Sequence, residues 1–123
     1  MTIRDELDAI NAGMARALAE QDAARFAAHY TDDARMLFHG QPIIRGRAAI
    51  ESTVREWVND GPVTLRFETG EVIADGSLVI DVGSIVSSTG RSEYVVAYQR
   101  QPDGSLRIAV DAANSDGPPA ASG

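Results

Sequence analysis

The apolar residues of the first stretch fall at Ile3, Leu7, Ile10, Met14 and Leu18, three or four apart. That spacing predicts one face of an amphipathic helix, and Thr2 with Asp5 and Glu6 behind it supplies a cap. A second, shorter helix is expected from Asp22, burying Phe26 and Tyr30. YTDDARMLFHGQPIIRG then reads as a turn, a short strand over about 35–38 and a Gly-Pro loop. Ile50, Val54, Trp57 and Val58 mark one side of a third helix over about 47–58, closed by Gly61 and Pro62. From Val63 onward strand patterns alternate with Asp75-Gly76, Thr89-Gly90 and Asp103-Gly104, each able to close a hairpin. DGSL occurs at 75–78 and again at 103–106, two uses of one turn rather than a repeat architecture. Three helices with one short strand among them, then a four-strand antiparallel meander, predict an α+β fold. One domain is expected over 1–115. The Pro-, Gly-, Ala- and Ser-rich end, 116–123, is expected to be a disordered tail.

Charge and composition narrow the partners. The 123 residues carry a formal net charge of −7, and an acidic surface repels phosphate backbones and anionic lipid, so neither nucleic acid nor a membrane is expected. No apolar run approaches the roughly 20 residues of a membrane span. MTIRDELDAI is acidic where a secretion leader would be basic, which points to the cytoplasm. There is no cysteine, hence neither disulfide nor thiolate chemistry. Two histidines without tight carboxylate spacing argue against a metal site. GQPIIRG lacks the Lys-Ser/Thr of a phosphate loop, and no G-x-G-x-x-G follows a strand, so no cofactor is expected.

One residue breaks the apolar pattern of the last strand. Asp111 sits in LRIAVDAAN, where Asp is unfavourable and an ionised carboxylate in a core is costly. A two-residue Asp103-Gly104 turn would set Val96 opposite Asp111, Tyr98 opposite Ala109 and Tyr94 opposite Ala113. Side chains alternate along a strand, so these six would share a face, with Leu106, Ile108, Val110, Val95 and Ala97 on the other. A Thr89-Gly90 turn adds Ile85, Gly83 and Asp81, opposite Tyr94, Val96 and Tyr98. Small residues, phenols and carboxylates around space predict a binding cavity under the helices. The opposite face is aliphatic with no helix left to cover it, which predicts a homodimer through the outer sheet face.

HYTDDARMLFHGQPIIRGRAAI and YVVAYQRQPDGSLRIAVDAANSD resemble the nuclear-transport-factor-2-like superfamily, in particular SnoaL-like polyketide cyclases and the small SgcJ/EcaC-type proteins. These are similar to ketosteroid isomerases and to the association domain of calmodulin-dependent kinases. The resemblance covers about residues 3–115. It implies a cone-shaped curved sheet wrapped on the helices, with an apolar pocket at the open end. The isomerases' general-base Asp would fall at Phe38 or His39, their oxyanion-binding Tyr at about Met14 and their protonated Asp at about Val96, so their catalytic side chains are absent. SnoaL-like cyclases place an acid/base Asp on the last long strand, and Asp111 matches that position.

The candidates are then as follows. Asp111 is an acid/base in a semi-apolar pocket, or a structural carboxylate tying down Asn114-Ser115 or pairing with an Arg. His39 is a proton shuttle or a loop anchor; His29 is solvent-facing or structural. Tyr94, with Tyr98 beside it, is an oxyanion donor or a packed wall residue. Trp57, Met14, Phe26, Tyr30 and Val96 are pocket-lining or core residues, and Asn114 orients a ligand carbonyl or caps the loop. Asp32-Asp33 reads as a solvated cap. The expected function is acid/base chemistry (cyclisation, isomerisation or hydration) on a hydrophobic, carbonyl-bearing small molecule such as a polyketide-like or aromatic metabolite. The alternatives are a binding protein without turnover and a dimerisation module with a vestigial pocket.

Overall fold

The computed structural model describes residues 1–115; the expected tail, 116–123, lies outside the described residues. The first hydrophobic stripe forms α1 (Ile3–Ala19). Thr2 Oγ1 accepts from the Asp5 amide and the Asp5 carboxylate accepts from the Thr2 amide, both at 3.1 Å, a reciprocal cap. α2 (Ala23–Ala27) is capped by the Asp22 carboxylate, which accepts from the Arg25 amide at 3.0 Å. Tyr30 does not belong to α2. It opens β1 (Tyr30–Phe38), more than twice the expected length. A two-residue β2 (Ile44–Arg45) follows, then α3 (Arg47–Trp57), β3 (Arg66–Asp75), β4 (Leu78–Ser87), β5 (Gly90–Arg100) and β6 (Leu106–Ser115).

The six strands form one sheet in the order β2-β1-β6-β5-β4-β3. The meander is antiparallel, as expected, but β1 runs parallel to β6, from Tyr30 opposite Ile108 to Phe38 opposite Ala113. That pairing extends β1 back to Tyr30, and no local pattern announces it. The helices cover one face of the curled sheet, and the buried core lies between: Leu7, Leu18, Tyr30, Ile50, Tyr98 and Ile108 are each at most 3% exposed. Glu6 on α1 grips Arg100 at the end of β5 with two bonds of 2.5 and 3.1 Å.

Two departures from simple hairpins decide which side chains face inward. The β5–β6 loop has three residues, Pro102, Asp103 and Gly104, because Gln101 N donates to Ser105 O at 2.7 Å. Gly104 supplies the positive φ of +90° that such loops need. Tyr98 therefore faces Ile108 instead of Ala109, and Leu106 and Ile108 turn into the core instead of outward. A bulge then follows, with Ala97 opposite Val110 and Ala109 as the extra residue, and it restores the original phase. Val96 faces Asp111 and Tyr94 faces Ala113, as the turn arithmetic predicts. Between β4 and β5 the turn is Ser88-Thr89 rather than Thr89-Gly90, so Gly83 faces Tyr94, Asp81 faces Val96 and Val79 faces Tyr98. The slip is two residues, and a two-residue slip leaves every side chain on its own face.

The outer face is left open by the helices. Ile73, Val95 and Leu78 are 60%, 47% and 40% exposed there. Among the described residues no helix is long and apolar enough to cross a membrane.

Candidate active site

A cavity of about 240 Å³ lies between the helices and the inner sheet face. It exceeds the roughly 150 Å³ that admits benzene into a protein core, so it has room for a substituted ring or a small bicycle. β5 contributes Tyr94, Val96 and Tyr98, β6 contributes Ile108 and Asp111, and β1 contributes Met36 and Phe38. From the helices come Asn11, Met14 and Leu18 (α1), Phe26 (α2) and Trp57 (α3). Trp57, 41% exposed, stands at the rim against Phe38, ring centroids 5.4 Å apart. Val63, Leu65, Phe67 and Ile85 complete an almost wholly apolar wall.

Asp111 is the carboxyl in that wall. Its Oδ2 accepts from the Tyr30 hydroxyl at 2.5 Å, and its Oδ1 accepts no hydrogen bond among the described residues. Tyr30 is fully buried behind it and does not itself line the cavity. Burial pushes the Asp111 pKa up to about 6, against the opposing pull of the Tyr30 hydrogen bond. Tyr30 titrates well above its ordinary value because of burial first, then the adjacent Asp111.

The other phenols differ from one another. The Tyr94 hydroxyl lies 2.6 Å from Asp81 Oδ2 and 3.1 Å from the Glu68 carbonyl, and it accepts from Asn11 Nδ2 at 3.3 Å. Asn11 also donates to Thr69 Oγ1 at 3.0 Å, and Thr69 donates to Asp8 at 2.6 Å. Asp81 is fully buried, and its Oδ1 accepts from the Gly70 amide at 2.9 Å, where a bulge in β3 releases that amide from the ladder. The hydroxyl expected to serve as an oxyanion donor is therefore engaged by the protein. Burial, then Asp81, raises the Tyr94 pKa. Tyr94→Phe is expected to cost about 2 kcal/mol, since the buried Asp81 and Asn11 both lose a partner. Urea unfolding of the purified variant measures this. Tyr98 is 1% exposed, and its hydroxyl has no hydrogen-bond partner among the described residues.

His39 and Asn114 are not brought to the cavity. Phe38 points inward, so His39 points out; Asp111 and Ala113 face inward, so Asn114 faces out. Both edge a hollow on the outer face with Leu37, Val95 and Ala112. His29 is half-buried against Gly13 of α1, its pKa lowered by burial and then by Arg107. Met14, Val96 and Phe38, which the resemblance aligns with catalytic positions of the isomerases, line the cavity as apolar groups. Sequence reasoning named neither Asn11 nor Asp81 as a site residue. The available signals were an Asn on the apolar stripe between Leu7 and Met14, and an Asp amid the apolar LVIDVGSIV. Among the described residues no three His, Cys, Asp or Glu lie together as a metal site.

The profile of the SnoaL-like domain matches residues 11–113. The chain belongs to the SnoaL-like family. The SnoaL-like chain has no match among curated proteins. A Mycobacterium tuberculosis protein of unknown function superposes with a TM-score of 0.75 at 24% identity, over 90% of this chain and 70% of that one. ActVI-ORFA from Streptomyces coelicolor gives 0.76 at 16% identity, over 94% and 98%. A ketosteroid isomerase-like protein from Erwinia carotovora atroseptica gives 0.73 at 16%, over 94% and 97%. At these identities the likeness is one of fold.

Proposed function

We propose that this SnoaL-like chain holds a largely apolar, carbonyl-bearing small molecule, polyketide-like or aromatic, and moves a proton on it with Asp111, as an isomerase or cyclase does. The observation that carries the reading is a carboxyl in an apolar cavity with one oxygen fixed by Tyr30 and the other free. With its pKa near 6, Asp111 is mostly ionised at neutral pH yet close enough to neutrality to exchange a proton in both directions. Oδ1 takes the proton from a carbon beside the carbonyl. The C–H electron pair becomes an enolate, and the carboxylic acid returns the proton to the same or a conjugated carbon.

The test uses 2-tetralone in deuterated water, with exchange next to the carbonyl followed by mass spectrometry. Wild type is expected to accelerate exchange, with a rate that rises with pH and levels off above about 6. Asp111→Asn is expected to bind the ketone and to lose the acceleration. An Asp111→Asn protein exchanging at the wild-type rate removes Asp111 from the chemistry.

The apolar groups at Met14, Val96 and Phe38 favour a second reading, a binding protein without turnover, for which the ketone binds but no exchange occurs in either protein. Both readings have a second copy of the chain cover the outer sheet face. Val95→Glu, near its centre, is expected to convert a dimer to a monomer in sedimentation, with the cavity still able to bind ligand. A dimer unaffected by that charge places the contact elsewhere.

A further inference from the structure

One buried hydroxyl, on a residue that lines the cavity, has no hydrogen-bond partner among the described residues. Buried tyrosine hydroxyls ordinarily find partners. Tyr30 has Asp111, and Tyr94 has Asp81 and Asn11. Both amide hydrogens of Asn11 are directed to protein oxygens. Tyr98, equally buried and lining the same cavity, meets no acceptor among the described residues.

We propose that Tyr98 is the hydrogen-bond donor to the ligand, and that it selects molecules whose one exposed acceptor, a carbonyl or the enolate formed from it, lies beside Asp111. This deepens the proton-transfer reading and rests on it for the role of Asp111. The register supports the pairing. Asp111 faces Val96, and Tyr98 is two residues along the same strand and on the same face. The Ala109 bulge lies between the two pairings, and both side chains line the same cavity, so one small molecule can meet both. A carbonyl oxygen on the phenol and the neighbouring carbon on the carboxylate are two positions of one ligand, separated only by the carbonyl carbon. Burial first, then Asp81 and Asp111, raises the Tyr98 pKa, so the hydroxyl keeps its proton and remains a donor.

The experiment compares 2-tetralone with tetralin, the same bicycle without the oxygen. Binding is read from the fluorescence of Trp57, the single tryptophan, at the cavity rim. Wild type is expected to prefer the ketone by about tenfold, the net value of one good hydrogen bond. Tyr98→Phe is expected to abolish the preference, chiefly by weakening ketone binding. The carbonyl stretch of bound 2-tetralone is expected at lower frequency in wild type than in Tyr98→Phe. Without ligand, Tyr98→Phe is expected to melt at or above the wild-type temperature, because it removes an unbonded buried hydroxyl. Equal affinities for the two probes, binding of neither, or a preference that survives in Tyr98→Phe overturns the proposal. The two readings fail separately. Exchange that persists in Asp111→Asn removes the proton transfer and leaves the donor, whereas a preference that survives Tyr98→Phe removes the donor and leaves the proton transfer.

Discussion

Asp111→Asn is expected to melt higher than wild type at pH 8, by as much as about 10 °C, and at nearly the same temperature at pH 4. The carboxyl has a folded pKa of about 6 against an ordinary 3.8, so the native state holds its proton more tightly than the unfolded chain. For a raised acid the stability is fully present below the unfolded value and is lost as pH rises through the folded one. Above pH 6 the loss amounts to at most about 3 kcal/mol, with solvent in the cavity lowering it. Asn has the same shape, never ionises, and keeps an oxygen for the Tyr30 hydroxyl to bond. The difference between the two proteins, followed by thermal melts from pH 4 to 8, isolates this group from other titrations. A difference that does not grow with pH means the carboxyl is not held in an apolar setting. The same substitution is expected to end proton exchange on 2-tetralone, so an ionised acid in the proposed role is also a stability cost to the fold.

Gly83→Ala is expected to destabilise by about 3 kcal/mol or more, near the upper range for overpacking. An added Cβ would overlap the hydroxyl end of Tyr94 and the Glu68 carbonyl. Neither can yield easily. The carbonyl belongs to the backbone at the β3 bulge, and the ring is tethered through its hydroxyl to buried Asp81. Driving Tyr94 away breaks the bond to Asn11 as well and pushes the ring toward the cavity, so ligand binding should fall with stability. Urea unfolding together with 2-tetralone titration measures both. Wild-type stability in this variant would mean that Tyr94 moves freely and that its bonds do not fix the cavity wall.

The sequence made some features legible because they are local. α1 and α3 follow from hydrophobic spacing, and the Thr2–Asp5 cap from residue type. Asp111 was placed inward by arithmetic that missed two things, the third loop residue and the Ala109 bulge, which offset each other. Between β4 and β5 the turn was misplaced by one position, and since the resulting slip was an even number of residues, Asp81 stayed on the inner face. What was not legible is long-range. The parallel pairing of β1 with β6 has no local signature, so Tyr30 was assigned to a helix. The resemblance to the isomerases groups His39 with the cavity, and the expected place of Asn114 after the last strand groups it there too, although both line the hollow on the outer face. The roles of the two phenols turned on Asp81 and Asn11, whose convergence on Tyr94 only the folded sheet displays.

The bond from Tyr30 to Asp111 spans 81 positions of sequence. Until β6 docks, β1 has only the two residues of β2 as a strand partner, and the acid has no phenol to steady it. Closing so long a loop is slow. During synthesis Tyr30 and Asp111 are therefore brought together in one late event, after the helices and most of the meander have emerged, and a chain halted before residue 106 lacks both the proposed acid and the strand that joins β1 to β5.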